Sequence, residues 1–227
     1  MAIGVVIPVL NERQRVESLL EKAEEWHIGE VIFVDGGSTD GTQDILDALG
    51  AHWIASRQGR ALQMNEAARR VRGDILVFLH ADTDIGGDAF KIISALFERY
   101  PDVVGGRFDV RLSGNGVVFR LIEFMINFRS RLTQISTGDQ AMFVRRDVFE
   151  SLGGFPEQPI LEDIEFSRRL KRAGHVICLR NKVVTSSRRW EQHGILRTIL
   201  LMWKIRLLYW FGVSPDRLAK MYRADVR

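Results

Sequence analysis

Four short apolar runs, Ile3 to Leu10, Val31 to Val34, His52 to Ala55 and Ile75 to Leu79, are each followed by a segment of helical periodicity. Runs of this length bounded by polar turn residues suit strands buried on both faces, and spacings of about 20 to 30 residues leave room for one crossover helix each. The pattern predicts an α/β fold with a Rossmann-like, mostly parallel sheet flanked by helices. With 46% apolar and 27% charged residues over 227 positions, the chain can fill a core, which excludes disordered, collagen-like and coiled-coil classes. Thirty-two Lys and Arg against 29 Asp and Glu leave a net +3, too small an excess to imply a nucleic-acid partner. The single cysteine, Cys178, rules out an intramolecular disulfide framework or a CxxC zinc site. The chain opens on the strand-like MAIGVVIPVL rather than on a basic region with a cleavage site, so a cytoplasmic location is expected.

Beyond residue 100 the alternation loosens into an extended Val103 to Arg111, a helical Val117 to Arg131, an apolar Ala141 to Val144 and a helix from Leu161 to Ala173. No Pro/Ser-rich linker interrupts it, so one domain over 1–227 is expected, with halves 1–110 and 111–193 and a helical extension 194–227. Ile195 to Phe211 holds 13 apolar residues among 17 and stops at Gly212, with Pro215 beyond, which predicts a C-terminal amphipathic helix. Arg197, Lys204 and Arg206 interrupt a stretch already short of the ~20 residues a bilayer core requires. Arg206 falls nearly opposite Lys204 on the helix, so there is no single polar stripe. Burial in this protein or in a homodimer is the favoured expectation, with peripheral membrane contact as the other.

Open α/β sheets bind ligands beyond the carboxyl ends of their strands. There the sequence places Asn11 and Glu12, then Asp35, then Ser56 and Arg57, then His80, Asp82 and Asp84. In His80-Ala81-Asp82-Thr83-Asp84 two carboxylates stand one residue apart. Mg²⁺ or Mn²⁺ prefers oxygen ligands and keeps several waters, so one or two carboxylates plus substrate phosphates complete its shell. On a regular strand Asp82 and Asp84 share a face. The same acids also suit a turn, or a cap for the helix from Ala89 to Tyr100. In VDGGSTDGT, residues 34–42, two glycines permit an abrupt turn, and Asp35 can accept a hydrogen bond from an imide N–H or a ribose hydroxyl. Neither GxGxxG nor GxxxxGK[ST] occurs, which argues against a dinucleotide dehydrogenase and a P-loop NTPase.

Val9-Leu10-Asn11-Glu12, the VDGGSTDGT loop, HADTD and Leu161-Glu162-Asp163, in that order over roughly residues 3 to 190, resemble the family 2 glycosyltransferases of GT-A fold. Within that family the chain most resembles a short bacterial subgroup found with radical-SAM or selenodomain proteins and sometimes assigned to arsenosugar biosynthesis. The resemblance implies inverting transfer of a sugar from a nucleoside diphosphate donor, a UDP-sugar, to an acceptor hydroxyl. It implies that Pro8, Asn11 and Glu12 line the nucleotide site, that Asp35 meets the base, that Asp82 contacts ribose or the metal shell, and that Asp84 holds the metal, Mg²⁺ or Mn²⁺. VDGG departs from the commoner VDDGS, so the loop lacks its second acid. Gly138-Asp139-Gln140 resembles the family's acceptor-side segment, where Asp139 or Gln140 would bond donor sugar or acceptor. Arg57 and Arg60 can approach the diphosphate or lie in solvent. Arg189-Trp190 resembles the family's RW element, with the indole beside the acceptor and the guanidinium near the diphosphate. The longer QxxRW form is absent, which argues against a processive synthase. His193 can complete the metal shell.

Inversion by direct displacement requires stabilisation of the leaving group and a base for the acceptor hydroxyl. Glu162 and Asp163 stand at a loop-to-helix transition after the turn-forming FPEQP, and Asp163 is the expected base with Glu162 in reserve. Both acids also suit a helix N-terminus, with Glu165 pairing Arg169. Two rival expectations remain: a nucleotidyltransferase, disfavoured by the lack of a Gly-rich basic loop after the first strand, and a non-catalytic nucleotide-sugar scaffold acting through the C-terminal helix. Cytoplasmic placement extends to peripheral contact at the inner membrane face if that helix meets lipid.

Overall fold

Ile3, Val5, Val6 and Ile7 are each 4% exposed or less, so the first apolar run is buried on both faces, as a strand between two helix layers must be. The computed structural model describes residues 1–26 and 28–226, and this run is its β1 (Ile3–Val9). Helix α1 (Arg13–Glu25) leads to β2 (Glu30–Asp35), α2 (Thr42–Ala48) to β3 (Trp53–Ala55), and α3 (Arg60–Arg70) to β4 (Ile75–Phe78). β1 pairs in parallel with β2 and β4, and β2 with β3, as the alternating pattern requires. Side chains alternate with period two, so Val5 and Ile7 join α1 in one core while Val6 joins α3 in the other.

The second half contributes β5 (Thr83–Asp84), α4 (Asp88–Arg99), β6 (Val103–Leu112), α5 (Val117–Thr133), β7 (Met142–Arg145), α6 (Arg146–Ser151), α7 (Glu162–Ala173) and β8 (His175–Thr185). The sheet order is β3-β2-β1-β4-β7-β6-β8-β5, mostly parallel, with β7 antiparallel to both β4 and β6 and β5 antiparallel to β8. Strand β8 was not legible in the sequence, because Arg180, Asn181 and Lys182 break its apolar alternation. Helix α7 packs Phe166 against Phe155 and Phe149, with ring centroids 4.6 and 5.4 Å apart. Phe166 is fully buried, so Phe166→Ala should cost about 3 to 5 kcal/mol through lost transfer energy and the cavity left behind. Urea unfolding of the two proteins measures that difference.

Three helices close the chain: α8 (Arg188–His193), α9 (Ile195–Trp210) and α10 (Pro215–Val226). The predicted stop holds, since Gly212 has φ +83°, a left-handed conformation that glycine adopts without strain. Within the chain itself the expected burial of this helix is met only in part. Thr198 and Ile205 are buried on α9, where Ile205 meets Leu161 and Leu218, and Ile195, Ile199, Leu201, Leu208 and Tyr209 pack partly buried, while Leu196, Leu200, Trp203, Leu207 and Trp210 stay open. Among the described residues no helix is long and apolar enough to cross a membrane.

Candidate active site

Beyond the carboxyl ends of β1 and β4 opens a cavity of about 1660 Å³. Pro8 and Glu12 enter it from the end of β1, Arg60 from the start of α3, and His80 and Asp82 from the end of β4. Asp139 and Asp163 also line it, as do Arg189 and Trp190 of α8. Nine of the residues singled out in the sequence thus converge on one space, while Asn11, Asp35, Arg57, Asp84, Gln140, Glu162 and His193 are not part of its lining.

Each of these departures has a physical reason. Asn11, at φ +55°, clasps the neighbouring loop: its Oδ1 accepts from the Thr39 N–H at 2.8 Å while its own N–H donates to Ser38 Oγ at 2.8 Å. Asp35 is fully buried, so it does not present a carboxylate to a base in this conformation. It accepts from the N–H groups of Gly37 and Ser38, each at 2.9 Å, from Gln43 Nε2 at 2.6 Å and from the Ser38 hydroxyl. Burial pushes its carboxyl up, but the bonds from Ser38, Gln43 and Gly37 outweigh burial and hold it below the usual range. Gln140 is buried and caps its own 3₁₀ turn, its Oε1 accepting from the Thr137 N–H at 3.1 Å. Arg57 is exposed after β3, and His193 sits at the end of α8 away from the lining.

The acidic pair is split. Pairing of β5 with β8 turns Thr83 inward and Asp84 outward, so Asp84 is half exposed and accepts from Lys22 Nζ at 2.8 Å. Asp82 alone of the two faces the cavity, with His80 beside it. Strand alternation does put 82 and 84 on one side in principle, but Asp82 precedes β5, where the backbone turns through the Thr83 N–H bond to the His80 carbonyl at 3.0 Å. Burial and the Arg60 charge hold the His80 imidazole well below its usual range, which keeps it neutral. The ring packs against Gly138, where any Cβ would overlap it. Among the described residues no three His, Cys, Asp or Glu side chains form a metal cage. One cavity-facing carboxylate and a neutral imidazole nevertheless fit a Mg²⁺ or Mn²⁺ that takes its remaining ligands from water and substrate phosphate.

Leu161, in a left-handed conformation at φ +66°, ends the loop before α7 and starts that helix. Asp163 Oδ2 accepts from the Gly138 N–H at 2.8 Å and Oδ1 from the Ile164 N–H at 2.7 Å, which fixes the carboxylate. Burial raises it above the ordinary aspartate range despite those bonds. Glu162 is 5% exposed, 3.9 Å from Arg60, and burial together with the neighbouring Asp163 pushes it up to about 7. Between its ordinary 4.5 and that value the unfolded chain has released this proton while the folded one retains it. Stability from this group is therefore lost as pH rises through that window. Glu162→Gln should flatten the pH dependence of Tm between about pH 4.5 and 7, as thermal melts at several pH values will show.

Two residues that the sequence did not single out for the site also line the cavity: Arg129 of α5 and Arg206 of α9. The position of Arg206 opposite Lys204 was the one trace of this in the sequence.

Residues 4–153 match the model of the family described as glycosyl transferase family 2. The chain is 27% identical over 199 residues to the glycosyltransferase AglE of Haloferax volcanii, covering 80% of this chain and 65% of that protein. A crystal structure of S. aureus TarS 1-349 in complex with UDP-GlcNAc superimposes with a TM-score of 0.66 at 19% identity, covering 82% and 58% of the two chains. The mannosyltransferase PcManGT from Pyrobaculum calidifontis, in complex with GDP-Man and Mn²⁺, gives 0.68 at 20% identity, covering 99% and 68%. The fold is thus that of the GT-A glycosyltransferases. The chain spans 65% or less of the length of the curated relatives it matches.

Proposed function

The chain belongs to glycosyl transferase family 2 and is a glycosyltransferase, and from that premise we propose that it transfers a sugar with inversion from a UDP-sugar to an acceptor hydroxyl. This replaces the nucleotidyltransferase and non-catalytic scaffold expectations. One observation carries the reading: Asp82 and Asp163 line one cavity, the first at a strand end where diphosphates bind in such sheets, the second at a helix start.

In this scheme Asp163 takes the proton of the acceptor hydroxyl. Its two backbone hydrogen bonds aim the carboxylate, and burial raises its basicity toward neutral pH, where a base works best. The acceptor oxygen bonds to the anomeric carbon as the bond from that carbon to the diphosphate breaks, and the diphosphate leaves with the electron pair. Arg60 and Arg189 place positive charge beside it, Arg189 being steadied by its guanidinium stacked 4.5 Å from the Tyr222 ring centre. Trp190 offers an apolar wall to a sugar ring, and Asp139 a carboxylate to its hydroxyls. A divalent ion held by Asp82, with His80 next to it, would supply further charge at the leaving oxygens.

PcManGT holds GDP-Man and TarS holds UDP-GlcNAc, so the choice of uridine here rests on the sequence resemblance. We assign the chain to the short bacterial subgroup on the same ground, and we place it in the cytoplasm at the inner membrane face. A thermal-shift panel of UDP-, GDP- and dTDP-sugars, each with and without Mn²⁺, tests the donor. Metal-dependent stabilisation by the UDP series alone is expected, and a flat response across all three would remove the proposal.

A further inference from the structure

Leu196, Leu200, Trp203, Leu207 and Trp210 recur on α9 at alternating intervals of four and three, forming one stripe of the helix, and each is more than half exposed. Leu121, Phe124 and Phe128 do the same on α5, away from its buried Phe119, Ile122 and Ser130. Thirteen of the seventeen exposed large hydrophobic side chains among the described residues lie on α5, on α9 or at Phe211 just past it. Soluble surfaces seldom gather apolar area this way without a partner. Both stripes border the cavity that holds Asp163, so they form its mouth.

Charge indicates what covers them. Helix α9 carries Arg197, Lys204 and Arg206 with no acid. A second copy on this face would set those cations against each other, whereas an anionic bilayer attracts them. Trp203 and Trp210, apolar rings with a polar N–H, suit the boundary between head groups and chains.

Beneath the stripes lie Arg129 and Arg206. Arg129 Nε and Nη2 and Arg206 Nε are buried and have no hydrogen-bond partner among the described residues. The electrostatic neighbours of both include Asp139 and Asp163, whereas Arg189 shares only Asp139 with them and otherwise neighbours Arg60 and Asp82. Buried N–H donors without partners are costly, and a phosphate group offers the oxygens that would satisfy them.

We propose that the α5–α9 face docks on an anionic phospholipid bilayer and that Arg129 and Arg206 take the phosphate of a lipid drawn from it, which makes the acceptor a lipid. The proposal rests on the assignment of Asp163 as base. The lipid's hydroxyl gives its proton to Asp163 and its oxygen to the anomeric carbon, with the nucleoside diphosphate leaving on the other side. The lipid chain lies between Phe128 and Trp203.

Flotation of the full chain with vesicles tests this. Binding is expected to vesicles of mixed phosphatidylcholine and phosphatidylglycerol and not to phosphatidylcholine alone. Leu121→Glu combined with Phe211→Glu should weaken binding at least about tenfold with an unchanged Tm and unchanged stabilisation by UDP-sugar. Arg129→Ala or Arg206→Ala should weaken it about fivefold each, and Arg129→Lys should restore part of the loss. The donor panel is read separately, so a failed donor assignment and a failed lipid face give different patterns. Absence of flotation with thermal stabilisation by inorganic phosphate alone would assign the arginines to a soluble phosphate and overturn the proposal. A dimer in sedimentation that the glutamate pair dissociates would overturn it too, as would equal binding to neutral vesicles.

Discussion

Asp163→Asn is expected to slow sugar transfer about 10²- to 10⁴-fold, the span that loss of a positioned base produces, while stabilisation of the protein by UDP-sugar and Mn²⁺ persists. That range corresponds to about 2.7 to 5.5 kcal/mol of barrier. Asparagine keeps the shape of the side chain and one oxygen for the Gly138 N–H, giving up only the bond from the Ile164 N–H, so the 3₁₀ turn at Gly138–Gln140 should survive. What it removes is the negative charge that accepts the acceptor's proton. Because burial raises the Asp163 carboxyl, the wild-type rate should climb with pH through a value above the ordinary aspartate range, and the residual rate of the variant should lack that limb. Glu162→Gln is the control. Glu162 lies outside the cavity lining beside Arg60, so its loss should leave the limb in place. If Glu162→Gln abolishes transfer and Asp163→Asn does not, the two acids exchange roles.

The first half of the fold was legible because each strand is apolar on both faces and each helix follows it within a few residues. Buried parallel strands carry their pattern in local composition, as Ile75 to Phe78 shows. The convergence of Pro8, Glu12, Arg60, Asp82, Asp139, Asp163, Arg189 and Trp190 was legible for a related reason: strand ends and helix starts are where a sheet of this type opens. What was not legible depends on contacts distant in sequence. Strand β8 owes its place to β6, some seventy residues earlier, and not to its own alternation. The burial of Asp35 follows from Gln43 and Ser38 folding over it, an outcome that a strand-tip carboxylate does not announce. The open face of α9 reverses the usual rule that apolar stripes are core, and a single sequence holds no sign of which side a neighbour will leave bare.

The sharpest consequence of such a long-range contact concerns the acidic pair. Asp82→Asn should abolish Mn²⁺-dependent stabilisation by UDP-sugar, whereas Asp84→Asn should leave it intact. Sequence spacing treats the two aspartates as equals, yet β8 takes Thr83 and Asp84 as the edge strand and the second carboxylate pairs with Lys22, outside the cavity lining. That ion pair is largely exposed, with side chains 42% and 50% accessible, so breaking it should cost at most about 1 kcal/mol. At the end of β4 Asp82 is backed only by the neutral His80, which supplies no negative charge to balance a dication, and the other lining carboxylates, among them Glu12, Asp139 and Asp163, come from other elements. Losing its carboxylate should weaken metal-dependent donor binding at least about 100-fold. At donor set to about 100 times its Kd, a 100-fold weakening removes about 2.3 kcal/mol of ligand stabilisation, which for a chain of this size is a Tm shift of about 5 to 9 °C. Differential scanning fluorimetry of the two variants reads this directly. A full shift in Asp82→Asn, or a lost one in Asp84→Asn, would mean that the β5–β8 edge rearranges when the donor binds and that the outward carboxylate swings in.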